Sequence, residues 1–341
     1  MTPKQWRDAE AWLRMNIAWQ GPVKAEKIQG GQSNPTYLVT GAERSVVLRR
    51  KPPGRLLKSA HAVDREYRVQ KALYETNVPV ARPLSLCEDD TVLGSTFYVM
   101  EFVAGRCFDD PRLPEVAKPE RSAYFNEMGR VLAAIHQIDL ERTGLADYGP
   151  RGNYFRRQID RWSKQYRASE TGEIAAMDRL MGILDRVCPQ DDGRVTLVHG
   201  DYRIDNLMFA PDSAEIVAVL DWELSTLGHP FADIAAVIMQ WQMPPGNQGR
   251  GLYGVDRAVE GLPSDDAFLA AYCERMGLSG IEDFGFYVSF CFFRMAAILQ
   301  GVKKRALDGN ASDPARGISL GALVPRYAEA GLAALERKST M

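Results

Sequence analysis

Eight residues, His199-Gly-Asp-Tyr-Arg-Ile-Asp-Asn206, constrain the fold of this chain more than any other stretch. They are entered from the apolar run Val195-Thr-Leu-Val198. Two short strand-like runs follow, residues 207–210 and 215–220, with the turn-rich Pro211-Asp-Ser-Ala214 between them. That pattern predicts a strand, a polar loop and a β-hairpin. In an antiparallel hairpin the residue before the first strand lies opposite the residue after the second. Asn206 and Asp221 are therefore expected to meet at one mouth, with Asp201 upstream in the same loop. Hard oxygen ligands, too few for a full cage, suit Mg²⁺ that keeps water and substrate phosphates as its remaining ligands. The chemistry indicated is phosphoryl transfer.

A chain of 341 residues has room for two lobes, and 45% hydrophobic with 25% charged residues is an ordinary globular balance. A net charge of -2 gives no footprint for nucleic acid. The five cysteines contain no C-x-x-C pair, so neither a disulfide framework nor a zinc knuckle is indicated, and a reducing, cytoplasmic setting fits. The N-terminus lacks the apolar core of a signal peptide. The most hydrophobic window, residues 284–299, is interrupted by Arg294 and reads as a buried helix too short to span a bilayer. No membrane partner is expected.

Residues 5–19 predict a short amphipathic helix, and residues 23–100 a small sheet with one helix. The strand candidates are 24–28, 36–39, 45–48, 84–87 and 96–100. Between the first two lies Gly30-Gly-Gln-Ser-Asn-Pro-Thr36, a turn whose glycines let backbone N–H groups approach an anion. In the helix expected at 59–74, Glu66 shares a stripe with Ala62, Val69 and Leu73, so its carboxylate faces inward and needs a cation. The strand Val46-Val-Leu-Arg-Arg50 ends in two arginines, and either could reach it. After residue 103 the chain becomes mostly helical. The expected domains are 1–103 and 104–341, with helices near 120–138, 153–168, 174–187, 231–241, 264–277, 281–305 and 314–337. His136 reads as a capping or core histidine. Asp233 sits amid apolar residues and is expected to be buried and to accept hydrogen bonds. Residues 151–167 carry six basic side chains and one acid, Asp160, a face that favours an anionic over a polycationic substrate if it borders the site.

Taken together, His199-Gly-Asp201 with Asn206 five residues on and Leu-Asp221-Trp after a hairpin resembles the aminoglycoside phosphotransferase and choline kinase group, distant relatives of protein kinases. The strings Leu48-Arg-Arg-Lys-Pro-Pro-Gly54, Ala60-His-Ala-Val-Asp-Arg-Glu66 and Leu220-Asp-Trp-Glu-Leu-Ser-Thr-Leu-Gly-His-Pro230 look closer still to the branch related to the kinase-like domain of acyl-CoA dehydrogenase family members 10 and 11. The resemblance runs from about residue 28 to 236. It implies an α+β, bilobal protein-kinase-like fold, with a small antiparallel N-terminal sheet carrying one helix and a larger, mainly helical C-terminal lobe. It further implies Asp201 as catalytic base or orienting carboxylate, Arg203 steadying the γ-phosphate, and Asn206 and Asp221 holding Mg²⁺. Arg49, or Arg50 one residue on, would grip the ATP phosphates in partnership with Glu66. Ser33 and Asn34 would contact phosphate. Glu101 and Val103 would meet adenine, with Met100 behind it.

The first loop is not G-x-G-x-x-G, Gly200 stands where protein kinases have Arg, and Asp221 is followed by Trp-Glu rather than Phe-Gly. Those departures argue against a protein substrate. The expected activity is ATP- and Mg²⁺-dependent phosphorylation of a small-molecule hydroxyl. A hydroxyacyl compound or its CoA thioester is favoured over an aminoglycoside, whose positive charges would want carboxylates. The alternative is an inactive nucleotide-binding pseudokinase acting through a partner, which the presence of Asp201, Asn206 and Asp221 opposes. A metal hydrolase is disfavoured because none of the four histidines is paired at ligand spacing.

Overall fold

The computed structural model describes residues 1–28, 34–52, 62–246, 250–311 and 313–336. Contacts divide the chain into two compact units. The first comprises Met1–Phe108, Ile138–Asp147 and Arg203–Ser225, and the second Asp109–Gln137, Tyr148–Tyr202 and Thr226–Met341. The division therefore does not follow a single break after residue 103, because two later segments return to the first unit.

In the first unit, β1 (Lys24–Lys27), β2 (Thr36–Thr40), β3 (Ser45–Arg50), β4 (Pro83–Cys87) and β5 (Phe97–Glu101) form an antiparallel sheet of order β1-β2-β3-β5-β4. β2, β3 and β5 are rich in β-branched and aromatic residues, which fit a pleated, half-buried surface. Helix α1 (Pro3–Ile17) starts with a capping box, Thr2 bonding the Gln5 N–H while the Gln5 side chain takes the Thr2 N–H. Its Ala9 and Leu13 join Val46, Leu48, Phe97 and Val99 in one buried cluster. Each of the Val, Leu and Phe side chains contributes about 1.5–3 kcal/mol when fully buried. Helix α2 (Val63–Leu73) buries Val63, Glu66, Val69, Gln70 and Leu73 at helical spacing. The four-residue α3 (Asp90–Leu93) precedes β5, and β7 (Leu207–Phe209) with β8 (Ile216–Val219) adds the expected hairpin. The hairpin is tied down by reciprocal backbone bonds between Arg106 and Phe209 and by Val219 N–H donating to the Pro79 carbonyl. Gly105 is required at that seam, since a Cβ there would sit 2.4 Å from Met208 Cγ.

The second unit is mainly helical: α4 (Lys118–His136), α5 (Tyr154–Ser169), α6 (Ala175–Val187), α7 (Phe231–Trp241), the short α8 (Arg257–Glu260), α9 (Asp265–Met276), α10 (Phe284–Leu307), α11 (Pro314–Gly321) and α12 (Val324–Glu336). Its one small ladder among the described residues pairs β6 (Thr196–Val198) with β9 (Thr226–Gly228). Helix α10 packs against α5, α6, α7, α11 and α12, burying Phe286, Phe290, Phe292 and Phe293.

Two expectations are corrected. At 24 residues, α10 is long and apolar enough to cross a membrane by length and composition; its burial among five other helices, not shortness, makes it a core helix. The single helix expected at 314–337 is two, α11 and α12, because Pro325 belongs to the first turn of a helix and cannot donate into a preceding one.

Candidate functional site

The alternation of β3 sorts its two arginines. Val46, Leu48 and Arg50 share one face, and Arg50 spends its guanidinium on Ser95 Oγ and the Leu93 carbonyl. Val47 and Arg49 share the other. Arg49 Nε donates to Glu66 Oε2 at 2.7 Å, and its Nη2 to Asp221 Oδ1 at 2.7 Å. The pairing open in the sequence is thus settled on Arg49. Glu66, 1% exposed, also accepts from Asn34 Nδ2 at 2.7 Å and Tyr98 Oη at 3.2 Å, and Gln70 donates to Tyr98 in turn. Burial pushes the Glu66 carboxyl upward while Arg49 pulls against it. One charged donor, Arg49, and two neutral ones, Asn34 and Tyr98, thus meet the needs of a buried carboxylate. The Arg49 guanidinium is held ionised, the attraction of Glu66 and Asp221 outweighing its desolvation.

The hairpin register differs by one residue from the expected symmetry. Leu207 pairs with Val219 and the Leu220 N–H donates to the Asn206 carbonyl at 2.8 Å, so Leu220, not Asp221, stands opposite Asn206. On the turn side Phe209 pairs with Ile216, two residues short of the expected register, and the bulge between Met208 and Phe209 recovers one of them. Asp221 comes next, in the left-handed region at φ 62°, a conformation that Asp tolerates better than bulkier residues. Trp222 locks that turn through its Nε1 bond to the Val219 carbonyl. Glu223 joins the site unforeseen: carboxylate oxygens of Glu66, Asp221 and Glu223 lie within 4.8 Å of one another. Its sequence signal was the alternation Asp221-Trp-Glu223, with the buried Trp between two acids.

Other expected residues fall out as follows. Arg203 pairs with Asp205 at 2.8 Å, beside the short helical turn Ile204–Asn206. Met100 and Glu101 end β5, and Val103 follows them, all partly buried. The Glu101 N–H is committed to the Arg82 carbonyl, so its amide is not the group left for adenine. Asn34, at 2% exposure, donates its amide nitrogen to Glu66 Oε1, a contact that the sequence reading did not include. Ser33 lies outside the described residues.

In the second unit, the loop His199–Asp201 hangs on Asp233, at the start of α7. Asp233 Oδ2 accepts from the His199 N–H at 2.7 Å and Oδ1 from the Gly200 N–H at 2.9 Å. His136 Nε2 lies 3.4 Å from the same carboxylate, and its Nδ1 2.7 Å from Tyr272 Oη. Burial would raise the Asp233 carboxyl; the His136 contact and the backbone donors outweigh it and hold it below the usual carboxylate range. His136 is a core histidine. His199, fully buried, takes the Asp201 N–H on Nδ1 at 3.3 Å and so braces the loop. Along α5, Arg156 pairs with Asp185 of α6, and Arg167 with Asp178 of α6 at 2.6 Å, so this face carries less net positive charge than its sequence suggests.

The model of the "Phosphotransferase enzyme family" matches residues 24–275. Acyl-CoA dehydrogenase family member 10 of Mus musculus is 47% identical over 293 residues, 86% of this chain but 27% of that protein. Member 11 of the same organism is 38% identical over 337 residues, 96% of the chain and 42% of that protein. The chain thus spans well under half the length of these relatives. A crystal structure from Ralstonia eutropha JMP134, of a protein assigned to the aminoglycoside phosphotransferases, superposes with a TM-score of 0.89 at 45% identity, covering 97% of this chain and 98% of that one. The aminoglycoside phosphotransferase APH(4)-Ia, in ternary complex with AMP-PNP and hygromycin B, shares the fold at a TM-score of 0.61 and 17% identity over 96% of this chain and 98% of that one. The bilobal kinase-like architecture expected from the sequence is the one observed, and the chain belongs to the phosphotransferase enzyme family.

Proposed function

We propose that the chain is an ATP- and Mg²⁺-dependent kinase that phosphorylates a hydroxyl of a small molecule. The observation that carries this reading is the formed Arg49–Glu66 pair with Asp221 on the same guanidinium, all within one unit. Arg49 would hold nucleotide phosphate, Glu66 orients it, and Met100, Glu101 and Val103 would line the base. AMP-PNP in the APH(4)-Ia complex supports a nucleotide as donor. Asn206 and Asp221 offer the hard oxygens that fit Mg²⁺, which when bound neutralises phosphate charge. Asp201 would accept the acceptor's proton and Arg203 steady the transferred group. The chemistry needs positioning and charge neutralisation more than covalent catalysis.

For the acceptor we favour a hydroxyacyl compound, free or as its CoA thioester, over an aminoglycoside. Support comes from relatives named for acyl-CoA chemistry and from the basic α5 face, narrowed as it is by α6. The test is a panel of hydroxylated acceptors with ATP and Mg²⁺, following ADP and phosphorylated product, beside Asp201→Ala. Product on a hydroxyacyl member, lowered about 10²-fold or more in the variant, is expected. Undiminished product in Asp201→Ala sinks that residue's role. Nucleotide binding without turnover on any acceptor favours the pseudokinase.

A further inference from the structure

Positions 284–301 of α10 contain a single charged residue, Arg294. Arg294 is itself partly exposed, and the donors on its inward side need partners. Among the described residues no carboxylate pairs with it; its Nη2 donates instead to the Gly200 carbonyl at 2.7 Å. That carbonyl belongs to the peptide group leading into Asp201. Gly200 has φ +84°, and a glycine in that region lets the adjoining peptide rotate at little steric cost. The plane must be fixed from outside. Its N–H end is held by His199 Nδ1 at 3.3 Å and its C=O end by Arg294 at 2.7 Å. The second bond is shorter and charge-assisted, and so the stronger constraint.

From this geometry we propose that Arg294 is the positioning residue for Asp201: by clamping the Gly200 carbonyl it sets the Gly200–Asp201 peptide plane, and with it the direction in which the Asp201 carboxylate points. The proposal rests on the reading of Asp201 as the group that faces the acceptor. Helix α10 then does more than fill the core, because the orientation of the loop is referred to it.

The test compares the purified full chain with Arg294→Lys, Arg294→Met and Asp201→Asn. Amide exchange across residues 197–208 reads loop order without requiring turnover, and steady-state kinetics on the acceptor from the panel read its consequence. Arg294→Met should speed exchange at Gly200 and Asp201, with α7 and α4 unchanged. It should lower kcat about 10²-fold, as expected of a small misplacement, with KM for ATP within about twofold. Arg294→Lys keeps a donor and should recover a large part of both. Unchanged exchange in Arg294→Met, or a Lys variant as impaired as the Met variant with both melting points lowered, overturns the proposal in favour of plain packing. Retained turnover in Arg294→Met with loss in Asp201→Asn sinks only the role of Arg294. Retained turnover in Asp201→Asn sinks the reading of Asp201 on which it rests.

Discussion

Glu66 shows how one buried charge organises its surroundings. Three side chains donate to it, Asn34, Arg49 and Tyr98, and removing it would take from the Arg49 guanidinium its more buried counter-charge. Glu66→Ala is expected to cost about 3–5 kcal/mol of stability in urea unfolding. A cost below about 1 kcal/mol would mean that the pair behaves as an exposed one. Asp221→Asn keeps shape and removes charge. It should cut turnover about 10²-fold or more at saturating ATP and weaken the Mg²⁺ dependence, read by titrating Mg²⁺ in the coupled ADP assay. The inward carboxylate was legible because a charge on an apolar helical stripe has few explanations. The choice between Arg49 and Arg50 was not: Val46, Val47 and Leu48 are all apolar, so the phase of β3 is hidden until α1 covers one face. The Asn34 brace was illegible for another reason, as it joins residues 32 positions apart with no local pattern.

Among the elements, α7 has the clearest second task. Its first turn carries Asp233, which receives two consecutive backbone N–H groups, those of His199 and Gly200. Asp233→Asn replaces one acceptor oxygen with a donor, leaving an N–H unmatched at about 1–3 kcal/mol. Because the folded carboxyl sits below its usual range, the stability it contributes is present above the unfolded Asp value of about 3.9 and is lost as pH falls through the folded one. Acid unfolding of the Asn variant should therefore be less steep there. His229, between α5 and α10, works in the opposite protonation sense. Burial lowers its pKa despite the nearby Asp192, so below about 6.5 the unfolded chain takes a proton that the folded one refuses. Melting temperature should fall from pH 7 to 5.5, and less so in His229→Asn. Long helices such as α4, α5, α7 and α9 were legible within a few residues because their periodicity repeats several times. Strand β9 was not, since three residues in a polar, turn-rich stretch show no period; it forms because β6 offers it a ladder.

At the scale of the molecule, the family and the kinase-like fold could be read from motif order. The assignment of segments to units could not, because it depends on where the hairpin docks. The first unit takes Arg203–Ser225 as well as Met1–Phe108. Phe108 packs its ring 5.5 Å from that of Phe209, Arg106 bridges to the same strand, and Arg49 closes on Asp221. Residues 1–108 expressed alone should therefore show no cooperative melt by circular dichroism; a sharp transition would contradict this. A ribosome adding ~5–20 residues per second leaves on the order of ten seconds between the emergence of Phe108 and that of Ser225. Through that interval the nascent sheet stands with its seam uncovered, so the length of its exposure during synthesis is set by the position of the hairpin in the chain.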